Sequence, residues 1–306
     1  DRSVSRGLGD VYKRQVPNNA IDVKNKNIKI VFNFQNIFCW HFPPFPFMML
    51  TNSRRIFMID YTNDYLLNLK VKIFQPVNGY RASTDAVLLS SLPDKVKKGD
   101  AVLDVGSGTG AISLCLAHRF RQLGISICGF ELQKELASLS AQSAAANGFS
   151  DFLNYCCTDI RSRNIPFPPG SFQHVITNPP YSAADMKSPN PGKSLAHNFE
   201  HFSLGEWIRF CLKMLAPFGY FYTVNRAEAL PEILCALHGR AGENVIIPIY
   251  SKTGQSAKRV IVCARKDSKG PAAVLPGFTV HNDDGTYTPS AEAILRDGKS
   301  FWETGN

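Results

Sequence analysis

From Tyr65 onward the apolar positions of this chain fall into two alternating periods. The stretch "YLLNLKVKIFQP" alternates as a strand or hairpin does, and "STDAVLLSSL" opens with the capping residues Ser83 to Asp85 ahead of an apolar helix. Next come a strand "AVLDVG", a helix from Thr109 to Phe120, a strand "ISICGFEL" and a helix from Gln133 to Ala146. Strands "LNYCCTDI" and "HVITNPP" follow, then a polar loop from Ser182 to His201, a helix from Leu204 to Leu215 and a strand "GYFYTVNR". A helix from Ala227 to Leu237 precedes the strands "NVIIPIYS" and "KRVIVCARK". Strands alternating with helices of ten or more residues predict an α/β fold with a doubly wound, Rossmann-like sheet of seven mostly parallel strands. Two final strands with no helix between them predict an antiparallel C-terminal hairpin at one edge.

The ends of the chain read differently. Residues 1–57 keep neither period, and their opening "SRGLGDVYKRQ" looks like a translated adaptor tail. The expectation is that 1–57 is a non-native or disordered extension and that Met58 is the native start. Residues 58–100 then form a strand and helix segment, 101–266 the main domain, and 267–306 a Gly/Pro-rich tail with one short helix in "TPSAEAILRDG". No apolar run reaches the ~18 residues that a membrane span needs, so a soluble protein is expected.

A net charge of +9 invites a nucleic-acid reading, but residues 1–57 hold nine Lys/Arg against three Asp/Glu, leaving 25 against 22 for the rest. Charge is therefore weak evidence for a nucleic-acid partner. The eight cysteines form no C-x-x-C pair and show no metal-ligand spacing with histidine. Cys115, Cys128, Cys211 and Cys263 lie in apolar segments and read as buried thiols of a reducing cytoplasm, and Cys156-Cys157 as two inert neighbours on opposite faces of a strand. No metal is expected.

The chemistry concentrates at the strand ends. In "VLDVGSGTGAISL", Gly106, Gly108 and Ala111 satisfy the loose G-x-G-x-x-G/A dinucleotide fingerprint, with Glu131 at the distance of a ribose-binding acid. Asp104 argues against a dinucleotide, because a carboxylate there repels a pyrophosphate and attracts a cation. S-adenosylmethionine carries an amino group and a sulfonium and no phosphate, so Asp104 with Gly106, Gly108 and Gly110 suits it. Glu131 can accept from the ribose hydroxyls, and Asp159, in "CTDI", from the adenine amine. Each acid singly could be only a helix cap. Three at successive strand ends line the crevice where an open parallel sheet binds its ligand.

The fourth strand end reads "TNPPY", Thr177 to Tyr181. Pro179 and Pro180 stiffen the backbone and remove two N–H donors, so the Asn178 side chain and the Pro179 carbonyl present acceptors, with Tyr181 as a stacking face. That set suits an exocyclic amine on a planar ring or an amide. Two acceptors holding both N–H bonds favour a tetrahedral nitrogen whose lone pair can attack a methyl group.

With these motifs the chain resembles the class I S-adenosylmethionine-dependent methyltransferases carrying Asn-Pro-Pro-Tyr. Through "QPVNGYRASTDAVLLSS" and "DGTYTPSAEAILRDG" it resembles, more narrowly, the bacterial tRNA1(Val) (adenine(37)-N6)-methyltransferase family. The likeness runs from Tyr61 to Gly298. It implies a cytoplasmic enzyme, with a monomer favoured, that methylates N6 of the adenine 3′ to the anticodon of a valine tRNA. It also implies that Tyr80, Arg81, Ser83, Thr84 and Asp85 fold over the cofactor pocket, though Ser83 and Asp85 could equally be ordinary helix caps. Lys187, Lys193, His197 and His201 could meet a substrate phosphate or base. Lys252, Lys258, Arg259 and Arg265, flanking the terminal hairpin, could grip a phosphate backbone or simply protect an edge strand. Alternatives are a protein glutamine N5-methyltransferase of release-factor type, whose extra N-terminal helices have no counterpart before Ala101, and a non-catalytic cofactor- or RNA-binding protein.

Overall fold

A computed structural model describes residues 60–79, 81–180 and 202–305. The stretch 1–57, Tyr80, Tyr181, Lys187, Lys193, His197 and His201 lie outside the described residues.

The chain opens with an antiparallel hairpin, β1 (Tyr61–Leu66) and β2 (Val71–Pro76), followed by a short helix α1 (Thr84–Leu89). Its inward side chains, such as Val71 and Ile73, are buried, and the free edge of β2 is satisfied by α3 (Lys134–Ala146) and the residue after it. The Phe74 N–H donates to Ser143 Oγ and the Lys72 N–H to Asn147 Oδ1. These bonds cap an otherwise open strand edge and fix the hairpin against the main domain.

The main sheet is built from β3 (Ala101–Val105), β4 (Ser126–Glu131), β5 (Leu153–Cys157), β6 (Phe172–Thr177) and β7 (Leu215–Arg226), all parallel, in the order β5-β4-β3-β6-β7. The antiparallel pair β8 (Ala241–Tyr250) and β9 (Arg259–Lys266) completes it, with β9 beside β7. These seven strands are the doubly wound sheet and terminal hairpin expected from the sequence. The C-terminal tail adds two more. Two-residue strands β10 (Ala273–Val274) and β11 (Phe278–Thr279) pair parallel to the outer edge of β8 and cover it.

Helices lie on both faces. On one, α1, α2 (Ala111–Phe120) and the tail helix α6 (Pro289–Leu295) pack with the hairpin over Val102, Ile127 and Ile176; on the other, α4 (Leu204–Met214) and α5 (Leu230–Leu237) pack over Leu103, Val105 and Val175. The apolar character of successive β3 residues follows, since both faces of a central parallel strand are covered. Cys115, Cys128, Cys211 and Cys263 are buried free thiols, as the sequence suggested. Among the described residues, no helix is long and apolar enough to cross a membrane.

The chain runs outward through β3, β4 and β5, then crosses back to place β6 on the other side of β3. That reversal opens a crevice beyond the carboxyl ends of β3 and β6, the place where sheets of this type bind ligands.

Candidate functional site

The ladder between β3 and β6 ends with Val105 opposite Thr177. The next residues are Gly106 on one strand and Asn178 on the other, so the glycine turn and the Asn-Pro-Pro segment leave the sheet side by side. Glu131 ends β4 at the same level, since Val105 pairs with Phe130. The sheet register therefore brings the first, second and fourth predicted strand-end sites to one edge, and Asp159 follows two residues after β5.

Asp104 is fully buried and points at the first turn of α2, where its Oδ2 accepts from the Ser113 N–H at 3.2 Å. Its Oδ1 has no partner. Burial without a countercharge pushes its pKa up to about 7, although the Ser113 contacts pull the other way. The turn that follows holds two more buried atoms without a hydrogen-bond partner, Ser107 Oγ and Thr109 Oγ1. Three such atoms within six residues are a concentration that a polar, positively charged ligand would resolve.

The backbone of this turn is fixed from several sides. Gly106, Gly108 and Gly110 all have positive φ, a region that favours glycine. A Cβ on Gly106 would lie 2.8 Å from the Trp207 ring, and one on Gly110 would run into the Tyr155 hydroxyl. Glu131 is buried, and both its oxygens bind backbone: Oε2 accepts from the Gly108 N–H and Oε1 from the Gln133 N–H, each at 2.8 Å. Burial raises its pKa and these bonds oppose the rise. Each oxygen keeps a second lone pair for a hydroxyl donor. Asp159 stands differently: half-exposed, it takes two bonds from the Arg161 guanidinium, at 2.8 and 2.5 Å, and this partner lowers its pKa.

Asn178 and Pro180 are half-buried and Pro179 is buried. Arg81 lies between the hairpin and α1 and reaches back to bond the hairpin's Asp64, Thr62 and Pro76 carbonyl. Asp85, at the start of α1, meets Arg259 at 3.2 Å, which ties the α1 terminus to the start of β9. Lys258 is exposed beside it.

Sequence reasoning gave no role to three residues of the site. Tyr155 on β5 lays its ring against Gly129 and shares a 2.9 Å hydrogen bond with Ser113 Oγ, bracing the glycine turn and the start of α2 together. Thr177 donates from its hydroxyl to the Val105 carbonyl, and Trp207 on α4 donates its indole N–H to Thr177 Oγ1. All three read as ordinary core residues by pattern, because their partners lie 30 or more positions away in the chain.

Residues 82–200 match the family model of the Methyltransferase small domain. The chain is 28% identical over 220 residues to the tRNA1(Val) (adenine(37)-N6)-methyltransferase of Pedobacter heparinus, covering 71% of this chain and 90% of that protein. It is 28% identical over 214 residues to the enzyme of the same name from Aeromonas hydrophila, covering 68% and 85%. Among solved structures it is similar to a predicted O-methyltransferase from Agrobacterium tumefaciens, with a TM-score of 0.57 and 24% identity over 69% of this chain and 94% of that one. The crevice at the β3–β6 reversal thus lies in a fold shared with that solved structure and within the residues that match the Methyltransferase small domain.

Proposed function

We propose that this chain transfers the methyl group of S-adenosylmethionine to N6 of an adenine in tRNA, and that the adenine is the one 3′ to the anticodon of a valine tRNA. The observation that carries the cofactor assignment is the buried Asp104 carboxylate, with one oxygen unpartnered, beside two further unpartnered hydroxyls in a glycine turn. An ammonium group is the ligand chemistry that such a carboxylate favours. The similarity to curated tRNA adenine methyltransferases over about 70% of the chain supports the substrate.

In this reading Asp104 and the turn Gly106–Gly110 hold the methionine end of the cofactor, Glu131 the ribose and Asp159 the adenine amine, with Arg81 and Asp85 shaping the pocket from the hairpin side. When bound, S-adenosylmethionine supplies an electrophilic methyl group on a sulfonium. The lone pair of an adenine amine is delocalised into its ring. Asn178 Oδ1 and the Pro179 carbonyl accept its two N–H bonds, which draws the nitrogen toward tetrahedral geometry and frees the lone pair. Alkylated nitrogen is acidic, and its surplus proton passes to water. Tyr181 stacks the base, and Lys187, Lys193, His197, Lys258 and Arg259 meet the RNA backbone. The adenine leaves its stack first, at a cost of a few kcal/mol that is smallest in a loop.

The test is nucleoside mass spectrometry of unmodified tRNA incubated with the protein and labelled cofactor. N6-methyladenosine in valine tRNA is expected. Label appearing on a glutamine side chain of added protein, with none in RNA, would overturn the assignment. Asn178→Ala should lower the single-turnover rate about 100-fold or more while leaving cofactor affinity nearly intact.

A further inference from the structure

One side-chain hydrogen bond joins the residue before the glycine turn to the residue before Asn178, and a second holds the latter to Trp207. Val105 and Thr177 are the last paired positions of the β3–β6 ladder, and beyond them the strands part to form the crevice. Across that final pair the Thr177 hydroxyl donates to the Val105 carbonyl at 2.7 Å. The same oxygen accepts the Trp207 indole N–H at 2.9 Å. All three residues are buried, Thr177 and Val105 completely. The Trp207 ring also lies directly under Gly106, so close that even a methyl group there would have to displace it. Trp207 sits one turn into α4, whose start is fixed by the Ser203–Glu206 capping box, and Phe202 packs edge-on against its ring.

We infer that Trp207 and Thr177 are positioning residues that set the separation between the cofactor turn and the Asn178 amide. The inference rests on the proposed methyl transfer. Past Val105 and Thr177 the β3–β6 ladder has no further pair, so the spacing between the two loops is set by what joins them at the root, while the glycine turn is held separately to β4 through the Gly106 and Ser107 N–H groups on the Phe130 carbonyl. Here the joint is a directed relay, indole N–H to hydroxyl to carbonyl, in which each polar atom has its partner and little freedom to rotate. The ring braces Gly106 from below while its nitrogen holds the Asn178 strand. Attack on a methyl group needs the reacting atoms within about 3–3.5 Å, and a displacement of about 1 Å can cost on the order of 100-fold in rate. A device that fixes this spacing acts on the chemical step and leaves binding of each ligand largely alone.

Three variants test it. Trp207→Phe keeps an aromatic ring under Gly106 and removes the N–H. Thr177→Val keeps the shape and removes the hydroxyl, and Thr177→Ser keeps the hydroxyl. Expected for the first two is a single-turnover methylation rate lowered about 10-fold or more, with the dissociation constant of S-adenosylmethionine and the KM for tRNA each within about 3-fold of wild type. Thr177→Ser should retain most of the rate. Combining Trp207→Phe with Thr177→Val should slow the reaction little more than the worse single change, since both cut one relay. A readout independent of activity is the Trp207 indole proton, which should exchange slowly with solvent in the wild type and faster in Thr177→Val. Normal rates in both single variants of an active enzyme, or a fast-exchanging indole proton in the wild type, would overturn the inference while leaving the proposed reaction standing. Loss of cofactor binding in step with rate would reduce the pair to a structural support and overturn it as well. A wild type that methylates no RNA would overturn the reaction and this inference together.

Discussion

The ends of β3 and β5 present the same side chain in opposite states. Asp104 is sealed from solvent, pushed up to about 7 by burial, and has one oxygen without a partner. Asp159 is half-exposed, bonded through both oxygens to Arg161, and held below the ordinary carboxylate range by that partner. A carboxylate already neutralised by an arginine gains little from a further donor. One that is buried and uncompensated gains a great deal from a cation. In the proposed reading the difference gives the two ends unequal work: β3 would anchor the ligand through charge, and β5 would adjust it through hydrogen bonding.

Several substitutions would break or sharpen that contrast. The largest effect is expected from Asp104→Asn, which keeps the volume and removes the charge. Affinity for S-adenosylmethionine measured by calorimetry should fall about 30-fold, the scale of a lost charge-assisted hydrogen bond of roughly 2 kcal/mol. Next is the stability of the ligand-free protein. The folded-state pKa of Asp104 lies above the ordinary aspartate value of 3.8, so the folded state binds the extra proton and the contribution of this group to stability falls as pH rises from about 4 to about 7. Asp104→Asn should therefore melt several degrees above wild type at pH 8, with the gap closing toward pH 4. A variant that melts lower at pH 8 would mean that the Ser113 bond outweighs the burial. Smaller still is Asp159→Ala, for which cofactor affinity should weaken no more than about 5-fold because Arg161 already screens the carboxylate. A 100-fold loss there would reverse the ranking of the two ends.

Much of this site was legible in the sequence, and the reasons can be named. Each of Asp104, Glu131 and Asn178 ends or follows an apolar run that could only be a buried strand, and parallel strands of one sheet bring their carboxyl ends to one edge. The terminal hairpin was legible because no helix separates its strands. The short β10 and β11 were not: two-residue strands lying between Pro271 and Pro276 or just beyond Gly277 have no period to read. Nor was the early start of β7 at Leu215, where Phe218 takes a positive φ and the register to β6 shifts. The hairpin partners of Arg81 were not legible either, since they lie 5 to 19 residues away, where no local pattern selects them. The Asp159–Arg161 pair was open to notice, being two residues apart in "TDIRSR". Trp207 and Thr177 were not, because periodicity marks both as core and only the folded sheet shows what their polar atoms do.

The most direct measurement is calorimetry of S-adenosylmethionine binding across pH 5.5 to 8.5, on the wild type and Asp104→Asn. Binding a cation requires ionised Asp104 and a protonated ligand amine. Wild-type affinity should therefore rise by up to about tenfold per pH unit below about 7. It should then turn down above about 7.7, where an α-amino group begins to lose its proton. Asp104→Asn should bind weakly and lose the acid limb, keeping only the decline at high pH. A wild-type affinity flat from pH 5.5 to 7.5, matched by normal binding in Asp104→Asn, would contradict the assignment of Asp104 as the anchor of the cofactor's charge.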